Sequence, residues 1–155
     1  MAFELPPHGS RGAWAPGGGL VLRGRAAIAA LLYRLTVGRL IGRSGLLLTT
    51  IGARSGVRRT TLLRRFDDGD GWLVVASAGG AAKHPNWLVN LSHHPDQVTV
   101  ELRRDRFKVR PELLLADERA VAWARIVAEA RQFARYQQKT DREIPVVRLS
   151  RETSG

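Results

Sequence analysis

The sequence predicts an α+β domain built on a small, mostly antiparallel β-barrel with flanking helices. Three observations carry that prediction. Six short β-type apolar runs are separated by turn signals. Two or three helical patterns accompany them in mixed order. The 155 residues, 44% hydrophobic and 25% charged, suit one domain of ordinary size with its own core.

Taken in order, residues 1–19 hold three prolines and five glycines with little periodicity, which predicts a loose tail. Between Val21 and Ile41 the apolar residues Ile28, Leu31, Leu32, Leu35 and Leu40 recur near helical spacing, with arginines on much of the other face. Leu46–Ile51 reads as a strand closed by Gly52, and Arg59–Phe66 as its neighbour. Asp67–Gly71 signals a turn before a third strand, Trp72–Ser77. Gly79 and Gly80 break the chain, and Pro85–His93 suits a short helix with Pro85 at its start. Strands are expected again at Gln97–Leu102 and Phe107–Leu114. Asp117 is a candidate N-cap for one helix reaching about Gln138, with Val121, Ala124, Val127 and Ala128 on its apolar face. Ile144–Leu149 is the last strand, where Pro145 suggests an edge or a bulge.

The net charge is +11, and its placement is uneven. Between Met1 and Arg65 eleven arginines face one acid, Glu4, so ten of the eleven net charges lie there. Such a half attracts polyanions, anionic lipid or nucleic acid. Nucleic acid is not expected, because no reading module accompanies the charge and there are only ten aromatic residues. The longest apolar run, Ala26–Tyr33, has eight residues, against about 20 for a membrane span. A soluble, cytoplasmic protein is therefore expected, with the basic helix offering peripheral contact with anionic lipid at the inner face of the membrane.

Familiar chemistry is mostly absent. With no cysteine there are no disulfides, thiolate zinc sites or cysteine nucleophiles. Gly79–His84 does not complete a phosphate loop, and no dinucleotide fingerprint or serine elbow occurs. His84, His93 and His94 lack carboxylates at ligand spacing, so no metal is expected. Two segments stand out. Thr49–Thr61 ends a strand in a glycine-bounded turn carrying Arg54, Ser55, Arg58, Arg59, Thr60 and Thr61, groups suited to phosphate or carboxylate, or equally to a solvated hairpin tip. In Val75–Leu91, the small residues Ala76–Ala82 let a flat ring approach the backbone, while Asn86, Trp87 and Asn90 share helical spacings. Core packing and capping would explain the same residues.

Three blocks in order resemble the deazaflavin (F420)-dependent nitroreductase family: Leu47–Thr61; Val74–Gly80 with His84–Leu91 and Pro95; and Tyr136–Val147. The resemblance spans roughly Leu31–Glu152. It implies a split β-barrel of the FMN-binding type, coenzyme F420 as cofactor and no metal. By position it implies Arg54, Ser55 and Arg59 against the cofactor's phosphate and oligoglutamate tail, with Thr60, Thr61, Leu62 and Leu63 beside it. Ala76, Ser77 and Ala78 would lie along the deazaflavin, with Asn86, Trp87 and Asn90 nearby. Tyr136 would be the catalytic hydroxyl, and Phe133 with Tyr136 would wall the substrate pocket.

Composition and resemblance together divide the chain into a flexible tail, residues 1–19, read from its prolines and glycines, and one F420-binding domain, residues 20–155, whose residues 20–43 form the amphipathic helix read from its periodicity. The implied activity is hydride transfer from the reduced deazaflavin to a small-molecule acceptor, a quinone, enone or nitro compound, by a monomer or homodimer. The alternative is a non-catalytic protein binding F420 or a lipid-like ligand. The chain departs from the family pattern at Ala53, Arg58 and Leu62, exchanging one basic group for another. Only Phe133 and Tyr136 remain aromatic among Ala130, Phe133, Tyr136 and Lys139, where nitroreductases place several aromatics.

Overall fold

The computed structural model describes residues 3–14, 24–25, 27–31 and 44–153. Seven strands form one sheet: β1 (Gly45–Ile51), β2 (Arg58–Arg64), β3 (Phe66–Asp68), β4 (Gly71–Val75), β5 (Thr99–Leu102), β6 (Asp105–Leu113) and β7 (Val146–Arg151). Their order is β2-β1-β5-β6-β7-β4-β3, and every pairing is antiparallel. The two edge strands, β2 and β3, are separated in sequence only by Arg65. The edges must therefore meet at that residue, which curls the sheet into a split barrel. Residues 59–66 read as one strand in sequence, but the chain bends at Arg65 because it passes there from one edge of the curl to the other.

Strand β4 reads as a continuous apolar run because both of its faces are buried. Trp72 and Val74 enter the barrel core with Leu46, Leu48, Val100, Val109, Val147 and Leu149. Leu73 and Val75 face a second core, formed with helices α2 (Ala116–Glu129) and α3 (Gln132–Lys139) through Ala122, Ile126, Ala130 and Phe133. Helix α1 (Asn86–His93) follows Pro85 as expected and sends Trp87, Leu88 and Leu91 into the barrel core. Burying each such side chain contributes about 1.5–3 kcal/mol.

Several expectations are corrected. The single helix expected from Asp117 to Gln138 is two, broken between Glu129 and Gln132. Its N-cap residue is Leu115, and Asp117 lies in the first turn, where its charge suits the helix dipole. The buried stripe is Ala122, Ile126, Ala130, whereas Val121 is 74% exposed. Pro145 is neither at an edge nor in a bulge: β7 lies between β6 and β4, and Pro145 precedes its first residue, where a missing N–H costs nothing.

Residues 24–25 and 27–31 are helical, and Ala30 packs on Leu47 and Leu62. Ile28 and Leu31 of the expected apolar face are exposed, while Leu32, Leu35 and Leu40 lie outside the described residues. No helix of the described residues is long and apolar enough to cross a membrane.

Of the expected flexible tail, residues 3–14 are described and differ from that expectation, while residues 1–2 and 15–19 lie outside the described residues. Residues 3–14 form an extended arm fastened along its length by backbone donors: Phe3 to the Ser92 carbonyl, Gly9 to Ala82 and Ala13 to Gly80. Asp141 accepts the N–H groups of Ser10 and Arg11 and the Ser10 hydroxyl. A Cβ at Gly12 would overlap the Ala82 backbone, so glycine permits the approach. These bonds carry no hydrophobic period, so nothing in the residue pattern announces them.

Candidate functional site

The basic turn is built first. Gly52 N–H donates to the Val57 carbonyl, Gly56 N–H to that of Gly52, and Val57 N–H to Ser55 Oγ at 3.2 Å. The turn is then fastened from outside, where Ala53 N–H donates to Oδ1 of the buried Asn90 at 2.9 Å. This bond brings the turn after β1 onto α1. Between them opens a cavity of about 880 Å³.

Arg54, Ser55, Arg58, Arg59, Thr60 and Thr61 line one side, and Asn86, Trp87 and Asn90 another. Lys83, His84 and, from the N-terminal arm, His8 complete the polar wall. The lining residues include four cations and no acid. Among the described residues, Arg54, Arg58, Arg59 and Lys83 have no carboxylate partner. Cations gathered without counter-charge repel one another and attract an anionic ligand.

Eight of the expected site residues are thereby brought together: Arg54, Ser55, Arg59, Thr60, Thr61, Asn86, Trp87 and Asn90. The others do not line this cavity. Leu62 and Leu63 lie farther along β2, which carries them away from the turn, and pack on apolar neighbours. Ala76 is fully buried in the barrel core, Ser77 is half-buried and Ala78 is exposed. Phe133 is in the second core, edge-on to Phe66 and Tyr136. Tyr136 is half-buried, with Lys139 Nζ 5.8 Å from its ring centre. Its helix lies against the turn at residues 78–80: a Cβ at Gly80, where φ is +87°, would stand 2.6 Å from the Tyr136 carbonyl oxygen.

Sequence reasoning missed the group that shapes this region, Arg142. Only 3% exposed, it donates Nε to the Ala81 carbonyl, Nη1 to Ala76 and Nη2 to Ser77, all within 3.1 Å. Nη1 also donates to His84 Nδ1 at 3.1 Å. Among the described residues no carboxylate is its partner, and burial lowers its pKa. A guanidinium satisfied by carbonyls acts as a rigid bracket for the loop it holds.

The bracket also sets the tautomer of His84. Nδ1 must accept from Arg142, so Nε2–H donates to the Pro6 carbonyl at 2.7 Å. Burial lowers the His84 pKa, Arg142 and His8 lower it further, and the Pro6 bond opposes them. His84 backbone N–H donates in turn to His8 Nδ1 at 3.1 Å, with the two rings 4.8 Å apart. The sequence signals for this network are His84 at the head of the His84–Leu91 segment and the Thr140–Pro145 stretch within the third matching block.

Comparison with known proteins identifies the family. The family model described as F420H(2)-dependent quinone reductase matches residues 26–151. An F420H(2)-dependent quinone reductase of Mycobacterium tuberculosis (strain H37Rv) is 39% identical over 128 residues, covering 77% of this chain and 85% of that protein. A solved structure of an F420-H2 dependent reductase (FDR-A) superposes with a TM-score of 0.63 at 36% identity, covering 70% of this chain and 95% of the other. A second, described as a domain-swapped dimer, gives 0.65 at 32% identity, covering 82% and 96%. With the family model spanning most of a split barrel that carries the basic cavity, the chain belongs to the F420H(2)-dependent quinone reductase family of oxidoreductases.

Proposed function

We propose that this protein binds reduced F420 in the basic cavity and reduces a quinone-type acceptor. The observation that carries the reading is the acid-free wall of Arg54, Arg58, Arg59 and Lys83, held against α1 by the Ala53–Asn90 bond. The donor set fits the cofactor. Forked guanidinium groups, an ammonium and hydroxyls suit a phosphate followed by a chain of carboxylates, and a neutral cofactor would leave these charges unexplained.

When bound, the reduced deazaflavin supplies the hydride. The chain's own residues bind and orient it. Arg54, Ser55 and Arg59 hold the anionic tail, Thr60 and Thr61 border it, and Trp87 with Asn86 and Asn90 walls the cavity beside it. Arg142 fixes the Ala76–Ala81 loop, the region assigned to the flat ring, so that the loop need not reorganise on binding. Ala27 and Ala30 also line the cavity, while Ile28 and Leu31 are exposed on the same helical segment, a surface suited to an apolar acceptor or to anionic lipid. Tyr136 is the proposed proton donor for the reduced acceptor, on a helix packed against the same loop.

Titrating F420 fluorescence with the full chain, then following oxidation of reduced F420 by a soluble quinone, tests the proposal. Saturable binding with turnover is expected. Binding without turnover for any acceptor would leave a carrier, and absence of binding would end the assignment.

A further inference from the structure

The N-terminal arm reaches the cavity at one side chain, His8. Its imidazole is exposed, yet its orientation is constrained, because Nδ1 accepts the His84 backbone N–H. A neutral imidazole that accepts at Nδ1 carries its proton on Nε2. Among the described residues that Nε2–H has no partner. The cavity around it holds Arg54, Arg58, Arg59 and Lys83 and no acid, so the only acceptor that would lower this charge density is one brought by a ligand.

The arm is not a passive strand. Asp141 fastens Ser10 and Arg11, two and three residues beyond His8, while the adjacent Arg142 holds His84, whose backbone N–H donates to His8. One short segment therefore clasps His8 from both sides. Arg11 adds a bond from Nη1 to the Gln138 carbonyl at 3.1 Å.

We propose that His8 is a ligand-binding group of the cavity, donating from Nε2–H to an anionic oxygen of the cofactor, and that Asp141 is a positioning residue acting through the arm. The proposal rests on the assignment of F420 to this cavity. The oxygen belongs either to the phosphate or to a glutamyl carboxylate, and both accept such a bond in the same way.

The test is a set of fluorescence titrations with the full chain and three probes: F420 with several glutamates, the same deazaflavin with its phosphate but no glutamate, and the deazaflavin with neither. His8→Ala is expected to weaken F420 on the order of 10-fold, the effect of losing a hydrogen bond to a charged group, and to leave the probe with neither anion unchanged. A loss that persists with the phosphate-only probe assigns the phosphate; a loss confined to the glutamylated one assigns a carboxylate. His8→Gln places an amide N–H near the lost donor and should recover most of the affinity. Asp141→Ala should weaken F420 as well, and combining it with His8→Ala should add little. If the parent binds F420 and His8→Ala binds it equally well, the His8 assignment fails while the cofactor assignment stands. An equal loss for all three probes would make the arm a packing element and overturn the proposal. A parent chain that binds no F420 overturns both.

Discussion

Asn90 Oδ1 and the Ala53 N–H meet at 2.9 Å, and this one bond joins the helix after the Ala78–Gly80 turn to the basic turn after β1. Asn90 is buried and carries no charge, so its influence on an anionic ligand runs through the position of the turn. Asn90→Ala is expected to cost about 1–2 kcal/mol in urea denaturation and to weaken F420 while the cation count is unchanged. Unaltered F420 affinity in a destabilised Asn90→Ala would uncouple the turn from the site.

The cation wall predicts a preference for the tail. F420 with several glutamates should bind more tightly than a tail-less deazaflavin or FMN. The advantage should shrink as salt rises, because exposed charges are screened over roughly 8 Å at physiological ionic strength. Arg54→Ala and Arg59→Ala should each reduce it. A tail preference indifferent to salt would mean that these arginines do not hold the tail.

Arg142 satisfies three carbonyls and His84 Nδ1 from inside the protein. Arg142→Met keeps much of the volume and removes every donor, leaving the Ala76 and Ala81 carbonyls and His84 Nδ1 without this partner, while the Ser77 carbonyl keeps the Gly80 N–H. Since each unsatisfied buried group costs about 1–3 kcal/mol, a loss of at least about 3 kcal/mol is expected, seen as a lower denaturation midpoint. Arg142→Lys should recover only part of it, because an ammonium cannot reproduce the planar fork.

The arm should loosen in acid, in two steps. His84 is held neutral with its pKa below the ordinary 6.5, chiefly by burial, with Arg142 and His8 facing it and the Pro6 carbonyl accepting from it. The unfolded chain therefore takes up the proton first. The contribution of His84 to stability is complete above pH 6.5 and declines as the pH falls below it. Asp141 is held at about 2 by the Ser10 hydroxyl and the Arg11 N–H, so its contribution is complete above 3.8 and is lost as the pH falls from there towards 2. Melting temperature measured from pH 8 to 5 should fall less in His84→Asn than in the parent. Parallel curves would remove His84 from the explanation.

Tyr136→Phe keeps the edge-on contact with Phe133 and removes only the hydroxyl. If that hydroxyl delivers the proton, F420 affinity should be preserved. The rate of single-turnover oxidation of bound reduced F420 by a quinone should then drop on the order of 10²-fold or more. A Tyr136→Phe as fast as the parent, with Tyr136→Ala weakened in binding, would make the residue a packing element.

Much of this was legible in the residues because it depends on near neighbours. The apolar run Leu46–Ile51 and the Pro85 helix start are local signals, and each element formed where its signal lies; the Asp-rich turn before Trp72 formed too, but only at Gly69 and Asp70, with Asp67 and Asp68 drawn into β3. The crowding of arginines before Arg65 is likewise a property of composition, and three of them, Arg54, Arg58 and Arg59, stand in the cavity wall. Tertiary structure decided the rest. The break in β2–β3 at Arg65 follows from closure of the sheet, and the faces of α2 and α3 follow from what β4 and β7 present to them. Residues 3–14 lack a hydrophobic period because their anchors are backbone carbonyls, Asp141 and His84, all far along the chain. Arg142 looks like one more surface arginine until the loop from Ala76 to Ala81 wraps it. Periodicity reports which face of an element is apolar; it is silent about polar groups whose partners are brought by a distant part of the chain.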